Sequence, residues 1–233
     1  MGLARTKFDP PPWVREAGML PIVLKLKLAT AAAVGLAGAT SPVPVPAEAL
    51  AMVVAERATS PVEVKLYDDN LRVSATVGIR RDGTMDDATA AQVKHLFRCR
   101  QTQREHAIAR RTLAMLADLA EQYESRTIEF VSAYRVQQDE SPTSPHRDAR
   151  AIDFRIRGVP LREIRDYLWR TYAEVGIGWY PSEQFIHMDS RPGLHGAAWT
   201  FLAGANHYHP YWAELARKPV TESTPPRGHR SGV

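Results

Sequence analysis

The sequence predicts an α+β fold, an antiparallel sheet with helices packed mainly on one face. Three observations carry that reading. Short runs alternate apolar and polar residues, as half-buried strands do. Two longer stretches repeat apolar residues at helical spacing. The strands group around these helices instead of alternating with them one by one.

In chain order, Val62-Glu63-Val64-Lys65-Leu66-Tyr67 reads as a strand, Asp68-Asp69-Asn70 as a turn, and Leu71 to Ile79 as a second strand of a hairpin. Asp86 or Asp87 caps a helix expected to run to about Arg100, with Ala91, Val93, Leu96 and Phe97 on its buried side. A second helix is expected over about Ala107 to Tyr123, carrying Leu113, Leu116, Leu119 and Ala120. Ile128 to Tyr134 is a strand and Gln137 to Pro145 a polar loop. In Ala151 to Arg157, Ile152, Phe154 and Ile156 face one way, while Asp153, Arg155 and Arg157 face the other. Pro160 opens a helix running to about Tyr172. Gly176 to Tyr180 and Gln184 to Asp189 are expected to be the last two strands.

Composition sets outer bounds. The chain has 233 residues, 44% of them hydrophobic and 24% charged, as in an ordinary globular protein with a real core. Its net charge of +4 is spread out, so a solvated surface is expected and no nucleic-acid partner. The single cysteine, Cys99, excludes an internal disulfide and reads as a packed thiol. Lys25 and Lys27 precede a short apolar run from Leu28 to Ala39, then Pro42 to Pro46 and a small-x-small pattern at Ala47-Glu48-Ala49. That order resembles an export signal, with Met19 as an alternative start. The run is shorter than the about 20 residues a membrane span needs. The expected organisation is therefore residues 1–49 as prefix and export signal, 50–216 as one folded domain, and 217–233 as a disordered basic tail. The mature chain is expected to be a periplasmic monomer without a stable membrane span.

The chemistry concentrates in Ser144-Pro145-His146-Arg147-Asp148-Ala149-Arg150-Ala151-Ile152-Asp153 and, later, Phe185-Ile186-His187-Met188-Asp189. Two histidines and an aspartate suit zinc, and three protein ligands leave a fourth position for water. Strand alternation places Phe185, His187 and Asp189 on one face and Ile186 and Met188 on the other. With the apolar face under the helices, Asp153 and His187 share the open face. Without the surrounding sequence, a surface His–Asp pair and a hydrogen-bonded strand histidine would explain the same residues. His207-x-His209 reads as local packing, and Trp199 and Trp212 read as core residues or as cover for the cleft.

Ser144-x-His146-x6-Asp153 with a downstream His187-x-Asp189 resembles the D-Ala-D-Ala metallopeptidases, the VanX/VanY-like branch of the LAS zinc peptidases, and most of all their YcbK-like periplasmic subgroup. The likeness covers roughly Val62 to Asp189. It includes Phe130-Val131-Ser132-Ala133-Tyr134-Arg135, Gly158-Val159-Pro160-Leu161 and Gly176-Ile177-Gly178-Trp179-Tyr180-Pro181. The resemblance implies a LAS/hedgehog-like fold and zinc held by His146, Asp153 and His187. It implies a substrate of peptidoglycan stem peptides or cross-links, cut by metal-activated water. Arg135 is expected to bind substrate or stabilise the oxyanion, and Ser144 to contact substrate or support the ligand loop.

Two departures stand out. Where relatives carry an acidic residue or a second histidine before the last ligand, this chain has Gln184 and Phe185. Asp189 is then the candidate general base or the residue that orients His187, with Glu183 as the other acidic candidate. Ala149 stands where glycine is usual. A murein endopeptidase is the first reading. A D,D- or L,D-carboxypeptidase and a non-catalytic zinc-bearing module are the alternatives.

Overall fold

The structure, a computed structural model, describes residues 59–217. The expected export signal within residues 1–49, the start of the folded domain at 50–58, and the tail from residue 218 lie outside the described residues. Arg217, assigned above to the tail, closes a helix instead.

Eight strands and four helices follow one another among the described residues. They are β1 (Val62–Asp68), β2 (Val73–Ile79), α1 (Asp87–Leu96), α2 (Arg110–Gln122), β3 (Ile128–Ser132), β4 (Ala151–Ile156), α3 (Leu161–Thr171), β5 (Val175–Tyr180), β6 (Phe185–Ser190), β7 (Ala197–Leu202), β8 (Ala205–Tyr208) and α4 (Tyr211–Arg217). The strands form one sheet in the order β2-β1-β3-β4-β6-β5-β7-β8.

Local chemistry explains the ends of these elements. In the β1–β2 turn, Asp68 Oδ1 accepts the N–H groups of Asn70 and Leu71 at 2.9 and 3.0 Å. Asp86 caps α1 through the Thr89 N–H at 2.8 Å. Pro160 precedes α3 in extended backbone, where its missing N–H costs nothing.

The sheet is mixed, which corrects the expectation of an antiparallel one: β1–β3 and β5–β7 pair in parallel. Alternation along a strand reports which face is buried, not which way its neighbour runs. The connection from β1 to β3 contains β2, α1 and α2, long enough to return the chain to the same end of the sheet. The second correction is that β5 and β6 are not the last strands. β7 and β8 extend the sheet beyond β5, joined by a turn in which Ala203 and Gly204 both take positive φ (50° and 81°), the conformation of a two-residue hairpin.

One face of the sheet carries the core. Phe130, Ile152, Phe154, Ile177, Ile186 and Met188 merge into one cluster with Val93 and Phe97 from α1 and its end, Leu113, Leu116 and Leu119 of α2, Ile164 and Leu168 of α3, and Ala213 and Ala216 of α4. Each such large side chain contributes about 1.5–3 kcal/mol when fully buried. This locks the register of β4 and β6, because a one-residue slip would turn their apolar set away from the helices. No described helix is long and apolar enough to cross a membrane.

Candidate metal centre

The locked register decides where the polar residues go. β4 and β6 are antiparallel neighbours with Asp153 opposite His187 and Ala151 opposite Asp189. Asp153 and His187 therefore project side by side from the face the helices do not cover. Across from them on β5 stand Gly178, opposite His187, and Gly176, opposite Asp189. A Cβ at Gly178 would lie 2.5 Å from the Trp199 ring, and one at Gly176 would lie 2.0 Å from Asp189 Oδ2. The absence of side chains at both positions leaves room for the groups around His187.

His146 reaches the same place on a tight turn. Ser144 Oγ accepts the His146 N–H at 3.3 Å, and the His146 carbonyl accepts from Arg135 and Ala149, each at 3.2 Å. Ser144 thus braces the ligand turn. Ala149 adopts φ 51°, the left-handed region that favours glycine, and is fully buried there.

β3 contributes through a bulge. Phe130 pairs with Phe154 and Ser132 with Asp153, so two steps on β3 match one on β4. The extra residue, Val131, turns Ser132 from the core face toward Asp153, as bulges beside functional sites do. The carbonyl of Val131 accepts from Arg100 and from Asn70.

Three donor atoms converge. His146 Nε2 is 3.2 Å from His187 Nδ1 and 3.3 Å from Asp153 Oδ1, and His187 Nδ1 is 2.8 Å from Asp153 Oδ1. All three residues are buried, at 1%, 4% and 6% exposure. The face expected to be open is thus a recess, roofed by the 133–149 segment and by Trp199. The outer nitrogens are tied down: His146 Nδ1 donates to the Ala133 carbonyl at 2.5 Å, and His187 Nε2 to Asp189 Oδ2 at 3.1 Å. Each ring therefore turns its other nitrogen, the one a metal would take, toward the carboxylate of Asp153.

This donor set fits zinc. Two imidazole lone pairs and a carboxylate crowded together repel one another unless a cation or an added proton lies among them. Atoms sharing one tetrahedral zinc at roughly 2.0–2.1 Å stand about 3.3 Å apart, close to the spacing seen. The electrostatics agree. Burial alone would raise the Asp153 pKa, but His146 and His187 outweigh it and hold the carboxyl well below the usual range. Burial would lower the pKa of His187, yet its hydrogen bonds to Asp153 and Asp189 and their charges push it up to about 9. A field that holds a proton this firmly also favours a metal cation.

The other expected residues flank this centre. Asp189 is fully buried and close to His187. Arg191, which the sequence reading overlooked, donates Nε to Asp189 Oδ1 at 2.7 Å and Nη2 to Oδ2 at 3.0 Å. Burial would raise the Asp189 pKa, and His187 and Arg191 overcome it. Arg135 donates Nη1 to Asp153 Oδ2 at 3.1 Å and to Ser132 Oγ at 3.3 Å. Its Nε lies 2.8 Å from Glu140 Oε2 as an ion pair, and Nη2 donates to Glu140 Oε1 at 3.4 Å. Glu140 was also overlooked; its one signal was an acidic residue in the polar loop six positions before His146. Glu183 lies in the turn before β6, exposed and off the strand face.

Trp199 forms the far wall. Its ring lies 5.1 Å from that of His187, and its Nε1 donates to Tyr180 Oη at 3.2 Å. Tyr180 in turn stacks between Phe185 and Phe201, at 4.4 and 5.1 Å. Trp212 faces the helices, donating to Thr200 Oγ1 and packing edge-on against Trp169. His207 and His209 are exposed and outside the cluster, Arg155 pairs with Glu129 and Asp69, and Cys99 is buried.

Comparison with known proteins points the same way. Residues 56–195 match the family model described as peptidoglycan L,D-endopeptidase MepK. A Haemophilus influenzae protein named "Probable peptidoglycan L,D-endopeptidase MepK" is 43% identical over 49 residues, which is 21% of this chain and 26% of that protein. The peptidoglycan L,D-endopeptidase MepK of Escherichia coli K12 is 38% identical over 52 residues, 22% of this chain and 28% of that protein. The chain thus aligns with about a quarter of the length of these curated relatives. No solved structure matches.

Proposed function

Because this chain belongs to the peptidoglycan L,D-endopeptidase MepK family, we propose that it is a zinc-dependent peptidase hydrolysing peptide bonds in the stem peptides or cross-links of peptidoglycan. The observation that carries this reading is the convergence of His146 Nε2, Asp153 Oδ1 and His187 Nδ1, with the outer nitrogen of each ring already engaged. When bound by these three residues, zinc supplies Lewis acidity, which makes water acidic near neutral pH and polarises a carbonyl.

The rest is work for the chain's own groups. The Ala133 carbonyl and Asp189 fix the orientation of the two rings. Arg191 keeps Asp189 ionised, so Asp189 is assigned to holding His187 and not to accepting a proton from water. It is fully buried, with no access to solvent, whereas Glu140 is only partly buried. Glu140, joined to the centre through Arg135, is then the candidate proton acceptor. Arg135 keeps the second oxygen of Asp153 occupied and presents a guanidinium beside the reacting carbonyl, where it offsets developing negative charge. Trp199 and the stacked Tyr180 limit water on the other side.

The same reading takes the fold as LAS/hedgehog-like, residues 50–217 as the catalytic domain, the N-terminal segment as an export signal to the periplasm, and the working form as a monomer. Mass spectrometry of cross-linked muropeptides incubated with the zinc-loaded chain and with a His187→Ala control tests it. New monomer masses that disappear in the control are expected. Intact cross-links in both samples, with zinc stoichiometrically bound by the wild type, would replace the peptidase by a binding module.

A further inference from the structure

A cavity of about 230 Å³ adjoins the metal centre on its β3 side. It has room for several water molecules at about 30 Å³ each, and so for a small charged side chain. Three of its wall residues belong to the surroundings of the centre: Ser132 and Arg135 contact each other and Arg135 contacts Asp153, while the Ala133 carbonyl holds His146. A group filling this cavity would touch Ser132, Ala133 and Arg135, the residues that link it to Asp153 and His146. Phe97 and Phe130, edge to face at 4.7 Å, give it an apolar side.

The charge in the walls is one-sided. Arg98, Arg100 and Arg135 all line the cavity, and among the described residues no carboxylate does. Two of these guanidiniums have acidic partners behind them: Arg100 meets Asp68 at 2.9 Å, and Arg135 meets Asp153 and Glu140. Arg98 differs. Its Nε donates to Gln103 Oε1 at 2.9 Å and its Nη1 to the His95 carbonyl at 2.7 Å, both neutral oxygens that orient the group without cancelling its charge. A planar guanidinium held this way offers its remaining N–H groups to an anion, and carboxylate is the shape it matches best.

We propose that this cavity is a substrate subsite for a carboxylate-bearing residue of the peptide, with Arg98 as the recognising group. The proposal rests on the peptidase reading and adds a substrate class to it: stem peptides with a free carboxylate near the scissile bond, in preference to amidated ones.

The test uses the full zinc-loaded chain with Arg98→Gln and Arg98→Lys variants, whose folding is checked by thermal melting. The substrates are a cross-linked muropeptide with free stem carboxylates and the same dimer amidated. Calorimetry with the corresponding free and amidated tetrapeptides provides a readout that needs no turnover. The wild type is expected to favour the free acid by about tenfold or more in kcat/KM, expressed mainly in KM. R98Q should bring that ratio toward one, and R98K should restore part of it. Equal handling of both substrates by the wild type, or an unchanged ratio in R98Q, overturns the subsite and leaves the peptidase standing. Preferential binding of the free tetrapeptide without hydrolysis of either dimer keeps the subsite and overturns the peptidase. Neither binding preference nor hydrolysis removes both.

Discussion

His187 Nε2 lies 3.1 Å from Asp189 Oδ2, and that contact fixes which nitrogen of His187 faces Asp153 and His146. The aspartate is itself gripped by Arg191, so the ring is steered by a charge that does not move. Asp189→Asn keeps the shape and removes the charge. The expected outcome is zinc affinity lowered about 10–100-fold, measured by competition with a chelator, with hydrolysis recovering at saturating zinc. Unchanged affinity with hydrolysis lost would instead make Asp189 the proton acceptor.

Glu140 supplies the contrasting case. Its carboxylate touches Arg135 and none of the three converging donor atoms. Glu140→Gln should leave zinc affinity as it is and lower kcat by about 100-fold or more, the usual worth of a general base. Wild-type kcat in this variant, at saturating substrate, would remove Glu140 from the chemistry.

The metal-free protein should respond to pH through His187. Its folded pKa, pushed up to about 9, lies above its ordinary value of 6.5. The stabilisation from its charged contacts with Asp153 and Asp189 is therefore fully present below about pH 6.5 and lost as pH rises through about 9. Zinc must displace the same proton. Calorimetry in buffers of different ionisation enthalpy should show proton release on zinc binding between these two pH values, with affinity rising as pH rises. A proton count of zero at pH 7.5 would contradict the assignment.

Gly178 and Gly176 are expected to resist substitution for steric reasons. The Cβ of Gly178→Ala would press on the Trp199 ring, and that of Gly176→Ala on Asp189 and Arg191. Each should cost about 1–3 kcal/mol in urea unfolding. Gly176→Ala should also weaken zinc binding, because it displaces the carboxylate behind His187. Wild-type stability in both would mean that the wall yields freely.

How much was legible beforehand follows from which interactions are periodic along the chain. Alternation in Ala151–Ile156 and Phe185–Ser190 assigned Asp153 and His187 to one face and Ile152, Ile186 and Met188 to the other, and the register bears this out. Turn residues around Ser144 and Pro145 announced a loop that carries His146. β7 went unread because Ala197–Leu202 is an apolar run with little alternation, and with it went the sheet position of Trp199. The Ala203-Gly204 turn after it was a hairpin signal within reach.

The sequence by itself determined which residues are the candidate donors, the buried face of each central strand and the caps and turns that end several elements, because these depend on neighbours a few residues away. Only the tertiary structure decided the parallel pairing of β1 with β3 and of β5 with β7, the bulge that turns Ser132 toward Asp153, and the pairing of Arg135 with both Asp153 and Glu140. Trp199 over Gly178 and the charged cavity beside β3 belong with them. Such contacts join segments whose separation along the chain carries no period. They exist only after packing of the core has set strand order and register, and no local pattern encodes that order.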